Sequence, residues 1–127
     1  MSARFIVVDD APFIRELLKN AFQSFGCVCV GEAEDGQEAI EVYRKTLPDL
    51  VLLDLVMPIK NGIETAREMK EIWSESVIVA CSSLDQGPLL KRALAEGCDS
   101  FIVKPFTKKD LLNVMKDYFP QVKEASR

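Results

Sequence analysis

The chain has no histidine, one tryptophan and two tyrosines, and its 16 Lys and Arg are outnumbered by 20 Asp and Glu. Without histidine, no mixed Cys/His zinc site can be completed. The four cysteines (27, 29, 81 and 98) show no CxxC spacing, so a zinc pair at Cys27 and Cys29 is a weak reading and reduced, packed thiols the better one. The shortage of cations gives a net charge of -4 and argues against nonspecific binding to nucleic acid or to an anionic membrane. Protein partners and cations are expected instead. No apolar stretch has the length of a membrane span, and Met1-Ser2-Ala3-Arg4-Phe5 runs into a strand-like segment rather than a signal peptide, so a cytoplasmic location is expected. Repeats and low-complexity segments are absent. At 127 residues and 48% hydrophobic, the chain holds enough apolar material for one core and too little for two.

What is present is organised around Pro48-Asp49-Leu50-Val51-Leu52-Leu53-Asp54-Leu55-Val56-Met57-Pro58. A Val/Leu run bounded by prolines predicts a strand buried on both faces, as in parallel sheets. An ionised carboxylate is costly inside such a strand unless a metal or a cation meets it. Asp54 is therefore expected at the strand's C-terminal end, facing a crevice.

The rest of the chain repeats one pattern. Arg4-Phe5-Ile6-Val7-Val8 predicts a first strand ending at Asp9-Asp10. A helix follows, opened near Pro12, with Ile14, Leu17, Leu18, Ala21, Phe22 and Phe25 on its inner face and Gly26 as its stop. Cys27–Val30 predicts the second strand, and Asp35 with Glu38 a capping box for the second helix. After the Asp54 strand, Asn61 with Glu64 caps a third helix. Val77–Cys81 predicts the fourth strand, with Ser82-Ser83 at its end. Gly87-Pro88 is expected to break a loop before a fourth helix faced by Leu89, Leu90, Ala93 and Leu94. Phe101–Val103 predicts the fifth strand, ending in Lys104-Pro105. Thr107 with Asp110 then caps a last helix, in whose first turn Lys108 and Lys109 read as solvated charges, with contact to an acidic partner as the alternative. The tail from Gln121 to Arg127 is polar and is expected to fray. Alternation of this kind predicts an α/β fold, one parallel sheet with helices on both faces, which binds ligands outside the carboxyl ends of its strands.

Strand ends, not sequence spacing, bring the chemistry together: Asp9 and Asp10 after the first strand, Asp54 after the third, Ser82 after the fourth, Lys104 after the fifth. Carboxylates crowded in this way raise one another's pKa, and a hard divalent cation resolves the conflict. Mg²⁺ suits oxygen ligands and pairs one or two carboxylates with a phosphate. Lys104 adds a point charge and Ser82 a hydroxyl donor, which are the parts needed to hold a phosphoryl group. Asp54 is then either a metal ligand only or a nucleophile that forms an acyl phosphate.

The combination of Val7-Val8-Asp9-Asp10, Leu53-Asp54 through Met57-Pro58 with Asn61-Gly62, Ser82 and Lys104-Pro105-Phe106 resembles the receiver domain of two-component response regulators. It is nearest in form to the short chemotaxis-type regulators that are a receiver alone. The resemblance covers about residues 4–119 and implies a flavodoxin-like doubly wound sheet of five strands in the order 2-1-3-4-5, with five helices. It further implies that Asp54 accepts phosphate, that Asp9, Asp10, Asp54 and the Val56 carbonyl hold Mg²⁺ (with Mn²⁺ as a substitute), and that Lys104 contacts the phosphate. Ser82 would be the switch hydroxyl, Phe101 the switch aromatic, and the Lys104–Pro105 bond cis. The implied partners are a sensor histidine kinase or phosphotransfer protein, and a target bound after phosphorylation through the face of the fourth helix, fifth strand and fifth helix. No nucleic acid or membrane is implied. The expected form is a monomeric, free-standing receiver over 1–127, not a conventional enzyme, with a phosphorylated dimer as the alternative state.

Two pairs of positions depart from common family usage. The switch pair is often Thr and Tyr, whereas Ser82 and Phe101 stand here. Val56 and Leu84, two residues beyond the acceptor and the switch hydroxyl, are both apolar, which predicts slow self-dephosphorylation. A haloacid dehalogenase-type phosphatase would need a second acid two residues after its nucleophile, where this chain has Val56. An FMN carrier would need a phosphate-cradling loop after the first strand, where Asp9-Asp10 would repel the phosphate. The receiver piece of a longer regulator is a third alternative.

Overall fold

Each apolar run becomes a strand, and the carboxylates fall at the strand exits. The computed structural model describes residues 3–120. It contains β1 (Arg4–Val8), α1 (Pro12–Ser24), β2 (Val28–Ala33), α2 (Gly36–Thr46), β3 (Leu50–Asp54), α3 (Gly62–Ile72), β4 (Val77–Ser83), α4 (Gly87–Glu96), β5 (Ser100–Lys104) and α5 (Lys108–Tyr118), with a 3₁₀ turn at Leu84–Gln86 before α4. The strands are parallel and ordered β2-β1-β3-β4-β5, the doubly wound, flavodoxin-like arrangement. The expected fraying of Gln121 to Arg127 lies outside the described residues.

Alternation along the strands divides the core in two. Ile6, Val8, Val51, Leu53, Ile78 and Ala80 face α2, α3 and α4. Phe5, Val7, Leu50, Leu52, Val79, Cys81 and Ile102 face α1 and α5. Every residue of β3 is buried. Each of its Val and Leu side chains contributes about 1.5–3 kcal/mol by leaving water, which makes this strand the rigid centre of the sheet.

Caps fix the helix starts. Asn61 Oδ1 accepts the Glu64 amide, and Thr107 and Asp110 exchange side-chain and backbone hydrogen bonds reciprocally. Asp35 accepts the Glu38 amide as expected, but Glu38 reaches past the cap to the Glu34 amide, so the box is displaced by one residue.

Several boundaries differ from the sequence expectation for identifiable reasons. β2 begins one residue later and runs on to Ala33, because the ladder to β1 continues past a bulge that leaves Val30 unpaired. β4 extends through Ser83, which pairs with Lys104. Gly87 and Pro88 begin α4 rather than break a loop, since proline is tolerated in a helix's first turn, where no intrahelical N–H bond is lost. Leu17 and Leu94 were expected inside; they are 43% and 40% exposed, at the margins of their helices' apolar faces. All four cysteines are free thiols, and burial pushes Cys27 up to about 11 and Cys81 and Cys98 to about 12. Lys108 lies 5.9 Å from the centre of the Phe25 ring, a contact that the solvated-charge reading did not foresee.

Candidate functional site

In the order 2-1-3-4-5 the chain reverses direction across the sheet between β1 and β3, and the crevice opens above the carboxyl ends of those two strands. Asp9 immediately follows β1, and Asp54 closes β3. By strand parity Asp9 continues the Phe5–Val7 face, Asp54 the Leu50–Leu52 face and Lys104 the Ile102 face, so all three belong to the side packed by α1 and α5. Ser82 follows Ile78 and Ala80 and belongs to the opposite side, with α3 and α4.

The expected acids do converge. Asp9, Asp10 and Asp54 each offer a carboxylate oxygen, and these atoms lie within 4.8 Å of one another. Asp9 and Asp54 are 1% and 6% exposed, while Asp10 is open to solvent. Asp9 is held from several directions: its Oδ1 accepts the Ala11 amide at 2.9 Å, its Oδ2 accepts from Lys104 Nζ at 3.0 Å, and its carbonyl accepts from the Arg15 guanidinium at 2.6 Å. Asp54 has less support. Its Oδ1 accepts the Val56 amide at 3.2 Å and stands 3.8 Å from Lys104 Nζ. Lys104 is thus paired with Asp9 first and with Asp54 only loosely.

Electrostatics follow from that inequality. Burial pushes the Asp54 carboxyl up to about 6, the neighbouring Asp9 adds to the rise, and Lys104 offsets only part of it. Lys104 is itself raised. Burial alone would pull it down, but Asp54 and Asp9 together outweigh burial and keep the ammonium charged. The site therefore carries more negative charge than its own cation satisfies. Three hard oxygen donors, two of them in a low-dielectric crevice, are a donor set that fits a divalent cation such as Mg²⁺.

The β3–α3 loop is drawn back against the site by Gly62, whose amide donates to the Leu55 carbonyl. A Cβ there would stand 2.6 Å from both the Asp54 carbonyl oxygen and the Leu55 Cα, so only glycine fits without moving the main chain of Asp54.

Two expected residues are placed differently from the acids. The Ser82 hydroxyl donates to Gln86 Oε1 and is buried. Phe101 is 43% exposed and lines, with Val103, Asn113 and Val114, an open cavity of about 500 Å³ between β5 and α5. The Lys104–Pro105 bond is cis, as the resemblance implies.

Sequence reading missed Arg15 and Gln86. Arg15 stands one turn into α1, donates to Glu32 Oε1 at 2.9 Å and clamps the Asp9 carbonyl, which ties β2 to the exit of β1. Gln86 had a legible signal: Ser83-x-x-Gln86 is a capping-box pattern, and its Oε1 accepts the Ser83 amide in the 3₁₀ turn.

This geometry agrees with comparisons to known proteins. Residues 5–116 match the response regulator receiver domain, and the chain belongs to that family, the phosphoryl-signalling receivers of two-component systems. It is 38% identical over 117 residues to the chemotaxis protein CheY of Halobacterium salinarum, covering 92% of this chain and 97% of that protein. It is 40% identical over 106 residues to the CheY of Thermotoga maritima, covering 84% of this chain and 88% of that protein. Among solved structures, the CheX–CheY–BeF₃–Mg²⁺ complex from Borrelia burgdorferi superposes with a TM-score of 0.85 at 31% identity, covering 91% of this chain and 89% of that one. Among the described residues, no helix is long and apolar enough to cross a membrane.

Proposed function

We propose that this protein is a cytoplasmic phosphoacceptor, with one receiver domain over residues 1–127, in which Asp54 takes a phosphoryl group from a sensor histidine kinase or phosphotransfer protein. The observation that carries the reading is the meeting of Asp9, Asp10 and Asp54 oxygens within 4.8 Å, with Lys104 beside them, at the sheet's switch point. Asp9, Asp10, Asp54 and the Val56 carbonyl would hold Mg²⁺ or Mn²⁺, which when bound neutralises the charge on transferring phosphoryl oxygens.

Asp54 attacks phosphorus through a carboxylate oxygen. The donor's P–N bond breaks with its electron pair remaining on the imidazole, and an acyl phosphate forms on Asp54. A carboxyl held at about 6 is still mostly ionised at neutral pH, so it serves as a nucleophile without a separate base. Lys104 lies close enough to Asp54 to follow the new phosphoryl group while keeping Asp9. Ser82 then donates to a phosphoryl oxygen, Phe101 turns inward, and the face of α4, β5 and α5 changes its affinity for a protein target. That shift equals the differential stabilisation of the two states by the phosphoryl group. Chemotaxis or a phosphorelay is the setting that the similarity to CheY proteins supports. A monomeric resting state that engages neither nucleic acid nor membrane completes the proposal.

Incubation with Mg²⁺ and acetyl phosphate, or with a histidine kinase, followed by intact mass tests the reading. One phosphoryl adduct is expected on wild type and none on Asp54→Asn, and an adduct on the variant would refute it. The side chain of Leu84 lies outside the described residues, but its apolar type and that of Val56 keep the expectation of a long phosphate lifetime. The Val56→Asn, Leu84→Glu double variant should lose phosphate faster than wild type.

A further inference from the structure

The Ser82 hydroxyl has one proton, and that proton is already committed. It goes to Oε1 of Gln86, whose other lone pair accepts the Ser83 amide at 3.1 Å. Gln86 is the last residue of the 3₁₀ turn and the residue from which α4 starts. Its amide therefore ties the end of β4 to the root of α4, with the hydroxyl fastened on the α4 side of the sheet, opposite in parity to Asp54. Ser82 is 1% exposed, so water does not compete for the bond.

We propose that Gln86 is a positioning residue of the switch: it holds Ser82 in the unphosphorylated arrangement, and the hydroxyl must leave Gln86 before it can donate to a phosphoryl group on Asp54. This rests on the phosphoacceptor reading above. The two bonds are mutually exclusive because the hydroxyl is a single donor. Gln86 thus sets part of the resting bias against the activated state. Release of Ser82 also leaves only the Ser83 amide on the Gln86 oxygen and loosens the start of α4, which couples phosphorylation to one border of the α4–β5–α5 face.

The test uses the full chain and its affinity for beryllofluoride with Mg²⁺, measured by titration calorimetry, together with the amide resonances of Ser82 and Ser83. Gln86→Met keeps length and burial but removes the acceptor. It should bind beryllofluoride about 3- to 10-fold more tightly, the range that one lost hydrogen bond in the resting state implies. Gln86→Glu keeps an acceptor, and as a charged one it holds the hydroxyl more firmly, so this variant should bind beryllofluoride more weakly than wild type. In a Ser82→Ala background, Gln86→Met should leave the affinity unchanged, because no hydroxyl remains to be released. Unchanged or weaker binding by Gln86→Met overturns the proposal. So does an equal gain in the Ser82→Ala background, which would mean that Gln86 acts through the turn and not through the hydroxyl. Failure of wild type itself to bind beryllofluoride in an Asp54-dependent way would instead remove the phosphoacceptor reading on which both rest.

Discussion

The two rims of the sheet both bury polar groups, and they handle them in opposite ways. At the amino-terminal rim, Tyr43 donates its hydroxyl to the Trp73 carbonyl at 2.6 Å and lies 2.9 Å from Ser76 Oγ, which donates to the Pro48 carbonyl. Asp49 accepts the Arg4 amide there, and Asp99 accepts both the Ile78 amide and Lys70. Each group finds its partner inside the protein. At the carboxyl-terminal rim, Asp54 is buried beside Asp9 with Lys104 3.8 Å away; burial first and Asp9 second raise its pKa, and Lys104 offsets only part of the rise. The first rim is an internally satisfied clasp that contributes stability. The second is left short of positive charge, and that shortage is what allows it to take up a cation and a phosphoryl group.

The comparison predicts opposite signs for polar deletions at the two rims. Tyr43→Ala should have the largest effect, about 3–5 kcal/mol of lost stability in urea denaturation, from the cavity and from the stranded Trp73 carbonyl. Beryllofluoride affinity in that variant should stay within about twofold of wild type when measured where it is folded. Asp54→Asn should do the reverse and stabilise the metal-free protein by on the order of 2–3 kcal/mol at pH 7.5. The sign follows from the raised carboxyl. Between the ordinary aspartate value of 3.8 and about 6 the unfolded chain releases the proton that the folded chain keeps, so wild type loses stability as pH rises through that window. The variant lacks this loss, and its advantage should vanish near pH 3.5. Added Mg²⁺ should narrow the gap at pH 7.5 by stabilising wild type alone. The smallest effect is expected of Tyr43→Phe, which removes only the hydroxyl and should cost about 1–2 kcal/mol. A gain there would end the contrast between the rims.

The carboxyl-terminal rim was the more legible one. An apolar run that stops at an acid marks both a strand and its exit, so Asp9, Asp54 and the site they share could be placed from the sequence before any contact was known. Lys104 was placed by the same reasoning, but its preference for Asp9 over Asp54 depends on a difference of 0.8 Å, 3.0 against 3.8 Å, which no residue pattern encodes. The edge strand β2 was misjudged because its residues are half exposed and Gly31 interrupts the β-branched run, although the ladder continues. Gly87-Pro88 carries the same letters in a turn and in a helix's first turn. The clasp at Tyr43 and Ser76 was invisible for a different reason: its partners are backbone carbonyls 28 and 30 residues away in sequence.

Among the described residues, β5 is an outer strand, hydrogen-bonded to β4 on one side and to no strand on the other. It carries Phe101 toward one helical layer and Lys104, three positions on, toward the other. A ribbon anchored along a single margin twists more readily than one clamped along both, and a small roll about its axis moves both side chains together, in opposite senses. Were a phosphoryl group to draw the ammonium toward it, the shortest route to the aromatic ring would run along β5 itself, with no need to disturb the strands paired on both sides.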